Sequence, residues 1–190
     1  MSAIFGLVYL DGRSVPQKHV QAMAEAMAGW GPDGVISLTK GAAGLGSAHL
    51  AITPEACYER MPWGNSEILI TTAARLDNRD ELCGLFHIPM PERPTVADGR
   101  LVTLAFARWG EDTPEHLFGD WSFAVWNRRE RRLFIARDHL GNTGLFYSYK
   151  PPFFAFASTP RAILALPEFP GRLDEWRLAR YLAIFPGEEA

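Results

Sequence analysis

The 190 residues sum to 21.2 kDa, near the upper end of what one hydrophobic core fills, so one large domain is expected and two would be cramped. With 47% hydrophobic and 22% charged residues the chain is neither a disordered tail nor a fibre, and its formal net charge of -3 supplies no field to attract nucleic acid or anionic lipid. Two cysteines, Cys57 and Cys83, without C-x-x-C spacing, make neither a disulfide scaffold nor a zinc or redox site, and read as buried free thiols of a reducing cytosol.

The first apolar run, Ala3 to Leu10, is far short of the ~20 residues that span a bilayer and lacks a signal-peptide pattern, so a cytoplasmic protein is expected. Its β-branched and aromatic residues from Ile4 to Leu10 predict a strand ending at the turn Asp11-Gly12. Val20, Met23, Met27 and Trp30 then recur at helical spacing from Gln17, and the run Gly29 to Gly34 stops that helix. Short β-like runs follow at Val35 to Leu38, Gly44 to Leu50 and Ile68 to Thr72. Helices are predicted at Arg79 to Leu85 and at Gly99 to Trp109, the latter with Leu101, Leu104, Ala105 and Arg108 near one stripe. Trp121 to Trp126 and Leu133 to Ala136 form a hairpin across Asn127 to Arg131, with both faces mostly buried. Leu145 to Tyr149 and Phe153 to Ala157 form a second hairpin around Lys150-Pro151-Pro152. Pro160 opens a helix through Leu166, and a last helix runs from the N-cap Asp174 to Phe185, before Pro186-Gly187. Strands apolar on both faces, interspersed with a few helices, predict an α+β domain of two packed sheets covered by helices.

General catalytic motifs are missing: there is no G-x-S-x-G elbow, no phosphate loop and no H-E-x-x-H pair. His19, His49, His87, His116 and His139 are scattered without ligand spacing, so no metal site is expected. The nine aromatics Trp121, Phe123, Trp126, Phe134, Phe146, Tyr147, Phe153, Phe154 and Phe156 read as core, and Arg137-Asp138 as an ion pair or turn brace at a strand end.

The segments Ile4-Phe5-Gly6, Gly31-Pro32-Asp33-Gly34, Leu45-Gly46 through His49-Leu50, and Leu76-Asp77-Asn78-Arg79-Asp80-Glu81-Leu82 come in one order with Phe118-Gly119-Asp120-Trp121-Ser122-Phe123-Ala124 and Leu133 through Gly141 then Leu145-Phe146-Tyr147. Together they resemble the class II glutamine amidotransferase domain of asparagine synthetases and their relatives, over nearly the whole of residues 1–190. The resemblance implies a four-layer αββα sandwich of the N-terminal-nucleophile hydrolase type. It also implies a catalytic residue at position 2, normally a cysteine whose own α-amine, with a pKa of about 8, serves as base once Met1 is removed. Here that position is Ser2, which reads either as a serine nucleophile or as the small residue after an initiator methionine.

The remaining pocket positions implied by the resemblance are mostly altered. An Asn-Gly pair that stabilises the oxyanion, each donor worth about 3 kcal/mol, is matched by Ala73 and Ala74, and the acidic residue after it by Arg75. The arginine that binds the glutamine carboxylate is matched by His49, which lacks the bidentate fork. Asp98 matches the acid that holds the glutamine α-amine, or else simply caps the helix that starts at Gly99. The expectation is a degenerate, glutaminase-inactive domain. The opening Met1 to Gly6 and the stretch Ala74 to Arg79 look most like the lasso peptide macrolactam synthetases, with β-lactam synthetases as further kin. The alternatives are an active Ser2 amidohydrolase and the amidotransferase half of an asparagine synthetase. No cofactor is expected in this domain, since ATP and Mg belong to a synthetase half joined near the end of the sequence or supplied as a separate chain. That half, or a second copy of this chain, is the expected partner, through the final helix (Trp176, Ala179, Leu182, Ala183) and Leu140 to Phe146; neither nucleic acid nor membrane is.

Overall fold

The computed structural model describes residues 2–183. Strand β1 (Ala3–Tyr9) is buried along its whole length, which an antiparallel strand manages only when both faces are covered. Its side chains divide by period two. Phe5, Leu7 and Tyr9 pack with Val20, Met23 and Met27 of helix α1 (Gln17–Ala26) and the turn after it, whereas Ile4 and Val8 pack with Leu69, Trp126 and other residues of a second sheet.

The first sheet has the order β2-β3-β1-β9-β8, from β2 (Val35–Lys40), β3 (Ala43–Ala48), β8 (Phe146–Lys150) and β9 (Phe153–Ala157). The second has the order β4-β5-β6-β7, from β4 (Trp63–Gly64), β5 (Ile68–Leu76), β6 (Gly119–Asn127) and β7 (Arg132–Arg137). Every pairing is antiparallel. Helices α2 (Arg79–Leu85) and α3 (Asp98–Trp109) cover the outside of the second sheet, where Leu101 and Val102 meet Trp121, Phe123 and Val125. Helix α4 (Pro160–Leu164) joins α1 outside the first sheet. The layers therefore run α, β, β, α, as expected. Among the described residues no helix is long and apolar enough to cross a membrane.

Several local expectations need correction. Strand β5 continues four residues past Thr72, because Ala73 to Leu76 pair with Trp121, Ser122 and their neighbours on β6; alanines take up strand geometry when a partner strand lies beside them. Trp30 leaves the buried stripe and is exposed, since α1 gives way to a 3₁₀ turn at Ala28–Trp30. On α3 the buried positions are Asp98 and Gly99 in the first turn and then Leu101, Val102 and Ala105, and Arg108 points to solvent. Phe146 and Tyr147 are exposed because β8 is a sheet edge, and Phe134 and Phe154 are half-buried. Cys57 is exposed; Cys83 is buried.

The final helix, α5 (Glu175–Leu182), is capped by Asp174, whose carboxylate accepts the Arg177 N–H at 3.0 Å. None of its residues is buried, and Trp176, Tyr181 and Leu182 all lie exposed on it. Phe185 and Pro186-Gly187 lie outside the described residues.

Candidate active site

The register of the first sheet sets the site. Ala3 pairs with Ala48, so the residue before β1, Ser2, falls opposite the residue after β3, His49. The Ser2 Oγ accepts the Leu50 N–H at 3.1 Å, lies 3.3 Å from the Leu50 carbonyl and 3.4 Å from His49 Nδ1. Three of the sequence segments singled out above brace this end of the sandwich. The Asp33 carboxylate accepts the Ala51 N–H at 2.8 Å and the Gly34 carbonyl accepts the His49 N–H at 2.7 Å, pinning the loop that carries His49. Asn78 clamps the chain before β6, accepting from Phe118 N and donating to the His116 carbonyl. Asp138, buried, takes hydrogen bonds from the backbone of Asn142 and from both the backbone and hydroxyl of Thr143. It is a turn brace; Arg137 is exposed and forms no ion pair with it among the described residues.

All five candidate positions, Ser2, His49, Ala73, Ala74 and Asp98, line one small cavity, which Arg75 also borders. Ala73 points its methyl group between the sheets, so no side-chain donor faces Ser2 from that position. The backbone at Ala74 is different. Ile68 and Leu76 direct their N–H groups away from β6, to Asn65 and Asp98, and alternation in an antiparallel ladder sends the N–H of Ala74 to that same open edge. The Ala74 N–H, like that of Thr72, is thus directed to the cavity side of β5. Arg75 turns its guanidinium aside, to Asp77 at 2.6 Å and Asp120 at 3.0 Å. Asn142 and Arg75 together hold the Asp120 carboxyl below its ordinary range.

Asp98 is the first residue of α3 and does not cap it; Ala97 occupies the cap position. Its carboxylate instead accepts the Leu76 N–H at 3.0 Å and pairs with Arg79, which also reaches the carbonyls of Arg93 and Val96. Burial pushes the Asp98 carboxyl up from its ordinary value, with the Leu76 amide and Arg79 pulling against it. Both oxygens are committed inside the protein.

Glu59 has no counterpart in the sequence analysis. It follows a 3₁₀ turn at Pro54–Tyr58 and sends its carboxylate to the start of α3, where Gly99 donates its N–H at 3.0 Å. It supplies the acidic cap that Ala97 cannot. Gly99 is required there: a Cβ would sit 2.5 Å from Glu59 Oε2 and 2.6 Å from Thr72 Oγ1. Burial raises the Glu59 carboxyl above its ordinary value, and the buried Thr72 hydroxyl beside it has no hydrogen-bond partner among the described residues. With these groups drawn in, the cavity between Ser2 and Asp98 amounts to about 20 Å³, room for about one water. Among the described residues no group of three His, Cys, Asp or Glu side chains is placed to hold a metal ion.

A family model described as "Glutamine amidotransferase domain" matches residues 1–189. Asparagine synthetase [glutamine-hydrolyzing] 3 of Bacillus subtilis is 35% identical over 91 residues, 48% of this chain and 15% of its own length. Asparagine synthetase [glutamine-hydrolyzing] 2 of the same organism is 24% identical over 173 residues, 90% of this chain and 23% of its own. Among solved structures, glutamine phosphoribosylpyrophosphate amidotransferase from B. subtilis superposes with a TM-score of 0.66 at 16% identity, covering 85% of this chain and 42% of that one. The chain thus spans less than half the length of each of these proteins.

Proposed function

The chain belongs to the glutamine amidotransferase domain family, and from that membership we propose that it is a glutaminase-silent amidotransferase-like domain serving an asparagine-synthetase-type, ATP-dependent, amide-forming ligase. The cavity beside Ser2 carries the reading: it has room for about one water, and Asp98 on its lining already pairs with Arg79 and accepts the Leu76 amide. A glutamine substrate needs a carboxylate clamp, an amine acceptor and oxyanion donors. Here His49 replaces the clamp, Asp98 is engaged, and at the oxyanion positions the Ala74 N–H has no side-chain donor beside it at Ala73. Such a domain would act as scaffold for a synthetase part, which would hold ATP and Mg and which the exposed apolar side of α5 is suited to receive. The finer reading is macrolactam formation in lasso peptide biosynthesis, in which an amine already on the substrate replaces ammonia. It rests on the resemblance of the segments Met1 to Gly6 and Ala74 to Arg79.

One observation favours a second reading, an N-terminal serine amidohydrolase: the inward Ala74 N–H lies on the same cavity as the Ser2 hydroxyl. Intact-mass measurement of the native protein combined with a glutamate-release assay separates the two. Retained Met1, or a free Ser2 without turnover, supports the silent domain; a free Ser2 with turnover supports the hydrolase.

A further inference from the structure

A second cleft opens on the far side of Glu59, between the loop from Tyr58 to Asn65 and helix α3, and encloses about 500 Å³. That is the size of pocket that takes small organic ligands. Its walls are mainly apolar, with Met61 and Ile68 below and Leu104 and Ala107 on the helix side, and Asn65, Thr95 and Thr103 are their uncharged polar members. Tyr58 and Trp63 stand at its mouth, 48% and 42% exposed, offering ring surface that no other described residue covers.

Two cations edge this apolar space. Arg100 rises from the first turn of α3, and its guanidinium makes no hydrogen bond or ion pair among the described residues. Arg60 spends Nη1 on the carbonyls of Cys57 and Glu59, which leaves Nε and Nη2 for another acceptor. The acid on the lining, Glu59, turns its oxygens inward to the amides of Gly99 and Arg60. A ligand therefore meets rings and aliphatic groups together with two arginines that keep donors to spare among the described residues. A cation would be repelled by them, and a wholly apolar ligand would desolvate the arginines without replacing their water.

From these observations we propose that the cleft binds a small organic carboxylate with an aromatic or branched aliphatic body, at a site separate from Ser2. The body lies against Trp63, Tyr58 and Leu104, and the carboxylate pairs with Arg100, with Arg60 as second donor. Among the described residues the two linings have one residue in common, Glu59, so the site stands whether or not the Ser2 cavity is catalytically silent.

The test is a titration of the ¹⁵N-labelled full chain with 4-phenylbutyrate, alongside the neutral 4-phenylbutanamide. Saturable amide shifts confined to residues 58–68 and 95–107 are expected for the acid. Arg100→Ala should weaken the acid about tenfold, the effect of losing one charged hydrogen bond, and leave the amide unchanged. Ala107→Trp, at an exposed position facing the cleft, should abolish saturation by filling it. Equal affinity for acid and amide, shifts that scatter over the surface or centre on Ser2 and His49, no saturation at all, or undiminished binding by both variants would each overturn the proposal.

Discussion

Arg79 ties together three elements beneath the candidate site, and its replacement by Met is the most direct probe of how that site is built. From the first turn of α2 the guanidinium reaches the Asp98 carboxylate, the Val96 carbonyl and, at 2.7 Å, the Arg93 carbonyl. The two side chains of the ion pair are only 18% and 6% exposed, so water screens little of the interaction. Arg79→Met keeps most of the aliphatic stem but leaves Asp98 with the Leu76 amide alone and the Val96 carbonyl without its donor, while the Arg93 carbonyl retains the Val96 N–H. Removing one partner of a buried pair costs about 3–5 kcal/mol, which for a domain of this size lowers the melting temperature by about 6–20 °C. The cost should depend on pH. Burial already raises the Asp98 carboxyl, and losing Arg79 raises it further, so the unpaired charge costs the variant more as the pH rises above the ordinary carboxylate range and is relieved by protonation as the pH falls. Urea unfolding of both proteins at pH 7 and pH 4.5 should therefore show the larger difference at pH 7, and adding Asp98→Asn to the variant should recover part of it. A loss under about 1 kcal/mol that is equal at both pH values would refute the buried pair, being the behaviour of a surface contact.

Phe123→Ala, at a fully buried ring between β6 and the helices, should cost about 3–5 kcal/mol in urea unfolding, and Phe134→Ala on the half-buried edge strand clearly less; equal losses would mean the second sheet is packed differently. Glu59→Gln should gain stability over the native protein as pH rises from the ordinary carboxylate range toward 7. The folded state binds the Glu59 proton more tightly than the unfolded chain and loses that advantage on ionisation, which glutamine escapes; a difference that stays flat from pH 4 to 7 would contradict this. Light scattering at high concentration should detect self-association of the chain that Leu182→Glu abolishes, whereas a strictly monomeric native chain would show that α5 is not a contact surface.

The strands and most helices were legible in the sequence because each sheet is covered on both faces, which writes nearly unbroken apolar runs such as Ile4 to Leu10 and Trp121 to Trp126. Legibility failed where a neighbour distant in sequence decides the outcome. Ala73 and Ala74 have little strand propensity, and only β6 beside them extends β5 to Leu76. Phe146 and Tyr147 read as core because aromatic composition does not reveal that β8 is an edge. The resemblance to a known family located Ser2, His49, Ala73, Ala74 and Asp98, and the fold brings them to one cavity. It could not show that Asp98 is paired with Arg79, nor that Glu59, in a loop without periodicity, caps a helix 40 positions on.

The central claim, that this cavity does not hydrolyse glutamine, is tested most directly by glutamate release from glutamine by the Ser2→Cys variant with its amino terminus verified by mass. The altered positions act as a unit, so a better nucleophile leaves the missing side-chain donor at Ala73, the absent clamp at His49 and the engaged Asp98 unrepaired. The account predicts no glutamate above the rate of the Ser2→Ala control. Sustained turnover by Ser2→Cys would contradict it, showing that the cavity opens to admit glutamine and that the Ala74 amide suffices for the oxyanion.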